Sequence, residues 1–313
     1  MHLYPMKLNP VLKDIIWGGT RLASDYGKSE NKNQKIAESW ELAVHKNGVS
    51  TIENGEYAGK TLEELFLLDK SIVSPGYKSD RFPLLVKFID AAENLSVQVH
   101  PDDAYAAKHE NESGKTEMWY IMDALPGAKI VYGLNGDYTR EQLQNLIDEN
   151  RFEECLNYKE VYPGEVYFIP AGLVHAIGEG ILVLEIQQNS DSTYRFYDYN
   201  RPRELHIEKA LDVCIKTKTE YENPVTSPLP GWEELLVSEY FRVKKFCGLS
   251  ALFEPVSMHC VVCVEGEGKI IHKEKIYDIK KGESYFFPAG MGSCKIENKS
   301  YGSAVFVIAH LNN

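Results

Sequence analysis

A chain of 313 residues, 43% hydrophobic and 26% charged, has ample material for two modest domains or one large β domain with a buried core. Its formal net charge of −12 argues against nucleic-acid binding, which relies on clustered Lys and Arg, and means that an anionic ligand would need a local positive charge. No apolar run reaches the roughly 18 residues of a membrane-spanning helix, so no membrane association is expected.

The N-terminal MHLYPMKLNPVLKDIIWGG is interrupted by an early proline and lacks a continuous apolar core, so it does not read as a secretory leader. A cytoplasmic protein is expected. Six cysteines are scattered along the chain, and the one C-x-x-C, Cys260 and Cys263, sits in the strand-like MHCVVCVEG with its side chains on opposite faces. These read as buried structural thiols, without a disulfide framework.

In chain order, TLEELFLLDK (61–70) opens with a capping box, Thr61 with Glu64, and predicts a helix. Strands follow at PLLVKFID and LSVQVH. DDAYAAKHE after Asp102 reads as helical, and EMWYIM and AKIVYG as strands. Thr139 with Gln142 caps a second helix running through EQLQNLIDENRFEECL. EVYFIP and ILVLEIQQ are strands, and LHIEKALDVCIK is helical. The run TKTEYENPVTSPLPGW has three prolines and no apolar periodicity, as a linker does. Beyond it come the strands YFRVKKF, HCVVCVEG, ESYFFPAG and SAVFVIAH. The pattern predicts a mainly β protein, a barrel or sandwich with a few decorating helices.

An internal repeat gives the organisation. GEVYFIPAGLVH (164–175) and GESYFFPAGMGS (282–293) share Gly-Glu-x-Tyr-Phe-x-Pro-Ala-Gly, but His175 in the first copy is Ser293 in the second. The expected domains are 1–218, carrying the working site, a Pro-rich linker at 219–232, and a related domain at 233–313 that lacks the polar ligands.

Gly164, Pro170 and His175 have the spacing of the second cupin motif, so the expected fold is two cupin-like (jelly-roll) β domains, with helices covering or flanking the barrel mouth. Gln98 and His100 fall on one face of a strand, and Glu117 lies in the next strong strand. Gln98, His100, Glu117 and His175 form the candidate metal set. Two imidazoles, a carboxylate and an amide oxygen suit one borderline divalent ion, and the absence of thiolates suits an open, reactive site.

SVQVHPDD, KTEMWYI, the HAI after the Pro-Ala-Gly turn and SDSTYR together resemble the type I mannose-6-phosphate isomerases of the short bacterial kind, over nearly the whole chain. The resemblance implies zinc at Gln98, His100, Glu117 and His175, a small phosphorylated sugar as substrate, and aldose–ketose interconversion through an enediolate. It carries the substrate-contacting residues onto Ser96 and Lys87, and further site residues onto Lys115, Glu185 and Arg195. Lys115 and Glu185 are then candidates for proton handling, and Arg195 for contact with the enediolate or orientation of the substrate. It leaves the oligomeric state open.

Plainer readings stand beside these. Lys87 in LLVKFID fits a solvated strand face, Glu185 a buried hydrogen-bonded residue, and Arg195 an aromatic stack or surface ion pair. Trp17 and Trp40 border the sugar site or serve the core. His45, His109, His206 and His259 fit no ligand spacing and are read as non-catalytic. The competing functions are a cupin dioxygenase, since a His/His/Glu set also supports oxygen chemistry, and a non-catalytic sugar-binding cupin.

Overall fold

The computed structural model describes residues 1–221, 227–229 and 231–312, with backbone alone at 227–229. The chain is mainly β, its strands paired antiparallel in extended sheets, with short helices between them. It divides into two compact units, one of Met1–Lys13, Thr20–Phe88 and Pro224–Asn313, the other of Asp14–Gly19 and Ile89–Asn223.

The second of these carries the candidate site. Five strands lie in the order Leu156–Glu160, Lys129–Leu134, His175–Ile177, Val97–Val99, Tyr194–Tyr197, and three more in the order Val166–Ile169, Glu117–Ala124, Ile181–Gln188. Strand alternation sorts the five-stranded sheet into two faces. Val97, Val99, Val174, Ala176, Tyr194 and Phe196 pack in one apolar cluster with Leu143 of the helix Arg140–Asp148 and with Ala210 and Leu211 of the helix Ile207–Val213. These helices therefore cover the back of the sheet, where the sequence reading expected them at the barrel mouth. Gln98, His175 and Arg195 are left for the inner face.

Helix starts follow their caps. Thr61 accepts from the Glu64 N–H and Glu64 returns the bond, opening Leu62–Leu68. Thr139 and Gln142 do the same for Arg140–Asp148. That second helix is shorter than the sequence suggests. Asn150 takes φ 56°, and a separate 3-10 turn, Phe152–Cys155, follows.

In the other unit the strand order runs Trp232–Val237, Phe241–Phe246, Ala304–Leu311, His259–His272, Ser284–Phe287, Met6–Asn9, Thr51–Ile52. Ser227–Leu229 pairs onto Trp232–Val237 at one edge. The long strand His259–His272 pairs with Ser284–Phe287 in its first half and with Lys275–Lys280 and Cys294–Asn298 in its second. Gly266, at φ 73°, sits where it turns between them, and a Cβ there would fall 1.9 Å from the Ser303 carbonyl oxygen.

The N-terminal strand belongs to this unit, with Met6 opposite Phe286 and Lys7 opposite Tyr285. Residues 20–88 are tied to it as well: Glu41 accepts from Ser284 Oγ at 2.8 Å. The stretch 1–218 that the sequence reads as one domain thus contributes to both units, because strand pairing distant in sequence leaves no local pattern. Of the expected linker 219–232, positions 222–226 and 230 lie outside the described residues.

Both copies of the repeat form the same turn after a strand, Val166–Ile169 in one and Ser284–Phe287 in the other, with Gly172 at φ 86° and Gly290 at φ 72°. All six cysteines are free thiols, and Cys260 and Cys263 are fully buried.

Candidate metal centre

Three strands bring the inner-face residues into a row. His175 pairs in register with Gln98, and Gln98 with Arg195. On the facing sheet Glu117 lies between Ile169 and Gln187, and Trp119 lies opposite Glu185. The two inner faces meet at His100, Glu117 and His175, each at most 1% exposed. His100 Nε2 and His175 Nε2 are 3.1 Å apart. Each lies 3.5 Å from a Glu117 carboxylate oxygen. Among the described residues this is the only grouping of His, Cys, Asp and Glu with dimensions suited to holding a metal ion.

The imidazoles are oriented from behind. His100 Nδ1 is 2.9 Å from the Ser192 carbonyl oxygen, and His175 Nδ1 is 2.8 Å from that of Leu173. A carbonyl only accepts, so each Nδ1 carries its ring's proton and each Nε2 presents a lone pair to the centre. Burial pushes the proton affinity of His175 down to about 4, keeping that ring neutral. Two converging lone pairs beside a carboxylate, with no proton to separate them, form a cation site. The donors fit a borderline divalent ion. Gln98 Nε2 is 3.5 Å from His175 Nε2, and turning the amide over would place its carbonyl oxygen there instead.

Lys115 reaches the same atoms, its Nζ 2.8 Å from Glu117 Oε2 and 3.0 Å from His100 Nε2. Trp119 packs edge-on to His175 with ring centroids 5.5 Å apart, and its indole N–H donates to Glu185 Oε2 at 2.9 Å. Glu185 is buried, as its plainer reading has it, yet it lies on the inner face. Arg195 is half-buried on that face. Its Nε is buried without a hydrogen bond, and burial, with Arg203 nearby, lowers its proton affinity from the usual guanidinium value. Ser96 is buried two residues before Gln98.

Comparison with known proteins gives the family. A model of the type I phosphomannose isomerase catalytic domain matches residues 6–124, and a model of the mannose-6-phosphate isomerase cupin domain matches residues 233–308. The mannose-6-phosphate isomerase ManA of Bacillus subtilis is 41% identical over 99% of this chain and 100% of that protein. The chain belongs to the type I mannose-6-phosphate isomerase family. The mannose-6-phosphate isomerase of Streptococcus mutans is 36% identical, over 98% of both chains. The crystal structure of the mannose 6-phosphate isomerase from Bacillus subtilis matches with a TM-score of 0.90 at 37% identity, over 98% of this chain and 99% of that one. Family matches of this extent do not favour the dioxygenase alternative.

Lys87, which the family resemblance marks for substrate contact, belongs to the other unit. There it is buried, its Nζ 3.7 Å from Glu38 Oε2 and 4.9 Å from the centre of the Trp40 ring. The solvated-face reading of Lys87 is therefore overturned, since every residue of Leu84–Ala91 is buried. Trp40 packs in a small core cluster with Ala43 and Leu85, and Trp17 is buried too.

Several residues of this isomerase-family site escaped the sequence reading. Trp119 lies two residues past Glu117, on the same strand face, and that alternation was a usable signal. Gln187, opposite Glu117, is fully buried with its Oε1 lacking a hydrogen bond. The carbonyls of Ser192 and Leu173 leave no trace in residue type.

Proposed function

We propose that this chain interconverts mannose 6-phosphate and fructose 6-phosphate, with one zinc ion held by Gln98, His100, Glu117 and His175. The observation that carries the reading is the convergence of two Nδ1-anchored imidazoles on a buried carboxylate, in a chain whose full-length relatives bear the isomerase name. Such an ion, when bound, supplies Lewis-acid stabilisation of the oxyanion that develops during enolisation.

The chain's own residues handle the proton and hold the substrate. The C2 proton of the aldose must leave and a proton must arrive at C1, while O1 gains a proton and O2 loses one. Lys115, touching Glu117 and His100, and Glu185, oriented by the Trp119 indole, are the groups we assign to these transfers. Arg195 offers planar donors to the reacting oxygens or the phosphate from its place opposite Gln98. Ser96 is assigned to substrate contact, and Lys87 joins it on the family resemblance alone.

A cytoplasmic location suits six free thiols. Among the described residues no helix is long and apolar enough to cross a membrane.

The test is a coupled assay of mannose 6-phosphate conversion on protein as purified, after chelation, and after zinc is restored. Activity lost and regained in step with zinc is expected. Folded protein inactive in every metal state would refute the reading.

A further inference from the structure

The repeat lets one position be compared in both barrels. In the first, Ile169 pairs with Glu117, and Glu117 with Gln187. In the second, Phe287 stands at the place of Ile169 in the repeat; it pairs with His259, and His259 with His310. His259 and His310 therefore occupy the places of Glu117 and Gln187. The counterpart of His175 is Ser293, which is exposed.

A cavity of about 300 Å³ opens here, at the lower end of the range for small-molecule pockets. The two imidazoles stack with centroids 4.7 Å apart and planes within 11°. His259 Nδ1 is 2.8 Å from the Ser257 carbonyl oxygen and His310 Nδ1 is 2.9 Å from that of Leu311, so both Nε2 atoms are acceptors. Burial lowers the proton affinity of both rings, that of His259 to about 3, and the Lys244 ammonium disfavours charging them further. Trp232 and Phe253 line the cavity with aromatic rings. Lys244 and Glu234, opposite each other in register, add a donor and an acceptor.

Ligand classes can be weighed against these groups. A purely apolar ligand would leave the two imidazole acceptors without partners, at a cost of roughly 1–3 kcal/mol for each one it shuts off from water. A simple anion would face the Glu234 carboxylate and two lone pairs. A divalent ion would find no third donor grouped with the two histidines. A polyhydroxylated ring offers hydroxyl donors and acceptors at its edge and C–H groups on its face, which satisfies all of them.

We propose that this cavity binds a single sugar ring, its face on Trp232 and Phe253 and its hydroxyls donating to His259 and His310 Nε2. Trp232 lines the cavity, so the part of the emission lost in Trp232→Phe reports on it. The full chain is titrated with mannose, mannose 6-phosphate and inorganic phosphate. The expected result is a saturable emission component with a sugar that Trp232→Phe lacks, its half-saturation raised at least tenfold in His310→Ala and in Lys244→Ala. A larger response to the phosphorylated sugar assigns that form, and an equal one assigns the bare ring. Lys244 is half-exposed, so its variant still reads out if His310→Ala fails to fold. No response to either sugar, an unchanged response in both variants, or a full response to phosphate alone would overturn the proposal. Only the component that Trp232→Phe lacks is scored, so sugar phosphate bound at the metal centre beside Trp119 does not enter, and the outcome is independent of the proposed reaction.

Discussion

Lys28 and Glu41 form an ion pair at 2.6 Å with side chains 6% and 0% exposed. Ser39 and Ser284 hydroxyls donate to the same carboxylate at 2.6 and 2.8 Å, and Lys28 also donates to the Gly282 carbonyl. The cluster thus ties residues 28–41 to the turn and strand of the second repeat copy. Lys28→Met removes the cation and leaves a buried carboxylate with hydroxyl donors alone. Removing one partner of a buried pair costs about 3–5 kcal/mol. If this unit opens as a unit, that is roughly 150- to 4,000-fold in its opening equilibrium. Hydrogen exchange of peptides covering the paired strands Met6–Asn9 and Ser284–Phe287 measures it. The double variant Lys28→Met/Glu41→Gln removes the stranded charge while keeping partners for both hydroxyls, and should recover at least half of the loss. Less than tenfold faster exchange in the single variant, or a double variant worse than the single, would show that burial of the carboxylate is not what the lysine offsets.

Four further outcomes are expected. Chelation should lower the urea midpoint, and zinc at one hundred times its Kd should restore about 2.7 kcal/mol, the value for an ion that binds the folded chain alone. Arg195→Ala should reduce kcat/KM at least a hundredfold in the coupled assay, with Arg195→Lys recovering only part because the planar fork is lost. Trp119→Phe removes the indole donor to Glu185 and should cost about 1–3 kcal/mol in urea unfolding, with altered pH dependence of kcat if Glu185 handles the proton. His259 and His310 have lower proton affinity folded than unfolded, so the unfolded chain binds more protons below pH 6.5, the ordinary histidine value. Their contribution is complete above that pH and is lost as pH falls from 6.5 toward about 3. His259→Gln/His310→Gln should flatten the fall of the urea midpoint across that window.

The strand runs and capping boxes were legible because each is set by neighbours in sequence. Alternation put Gln98 and His100 on one face, and the spacing of Gly164, Pro170 and His175 carried the turn that presents His175. Two things were not legible. Lys87 and Glu185 sit in strands buried on both faces, where alternation no longer separates core from solvent, and only the partner strands decide what a polar side chain meets. The grouping of residues 20–88 with the C-terminal strands depends on contacts such as Glu41 with Ser284, 243 positions apart, for which no local pattern exists.

The repeat shows why a shared scaffold does not carry a shared chemistry. Both barrels place two polar residues opposite each other at the same register, and both anchor their imidazoles by Nδ1–H to a backbone carbonyl. In the first barrel Gln98, His100 and His175 face Glu117 from the other sheet, and the imidazole lone pairs converge on that carboxylate. In the second the turn ends in Ser293, the two rings lie stacked, and the neighbouring ammonium is Lys244. Side chains at a few register positions therefore decide whether the barrel interior gathers a cation or presents acceptors to a neutral donor. Returning histidine at position 293 would not by itself recreate a metal centre, because no carboxylate occupies the place of Glu117 there.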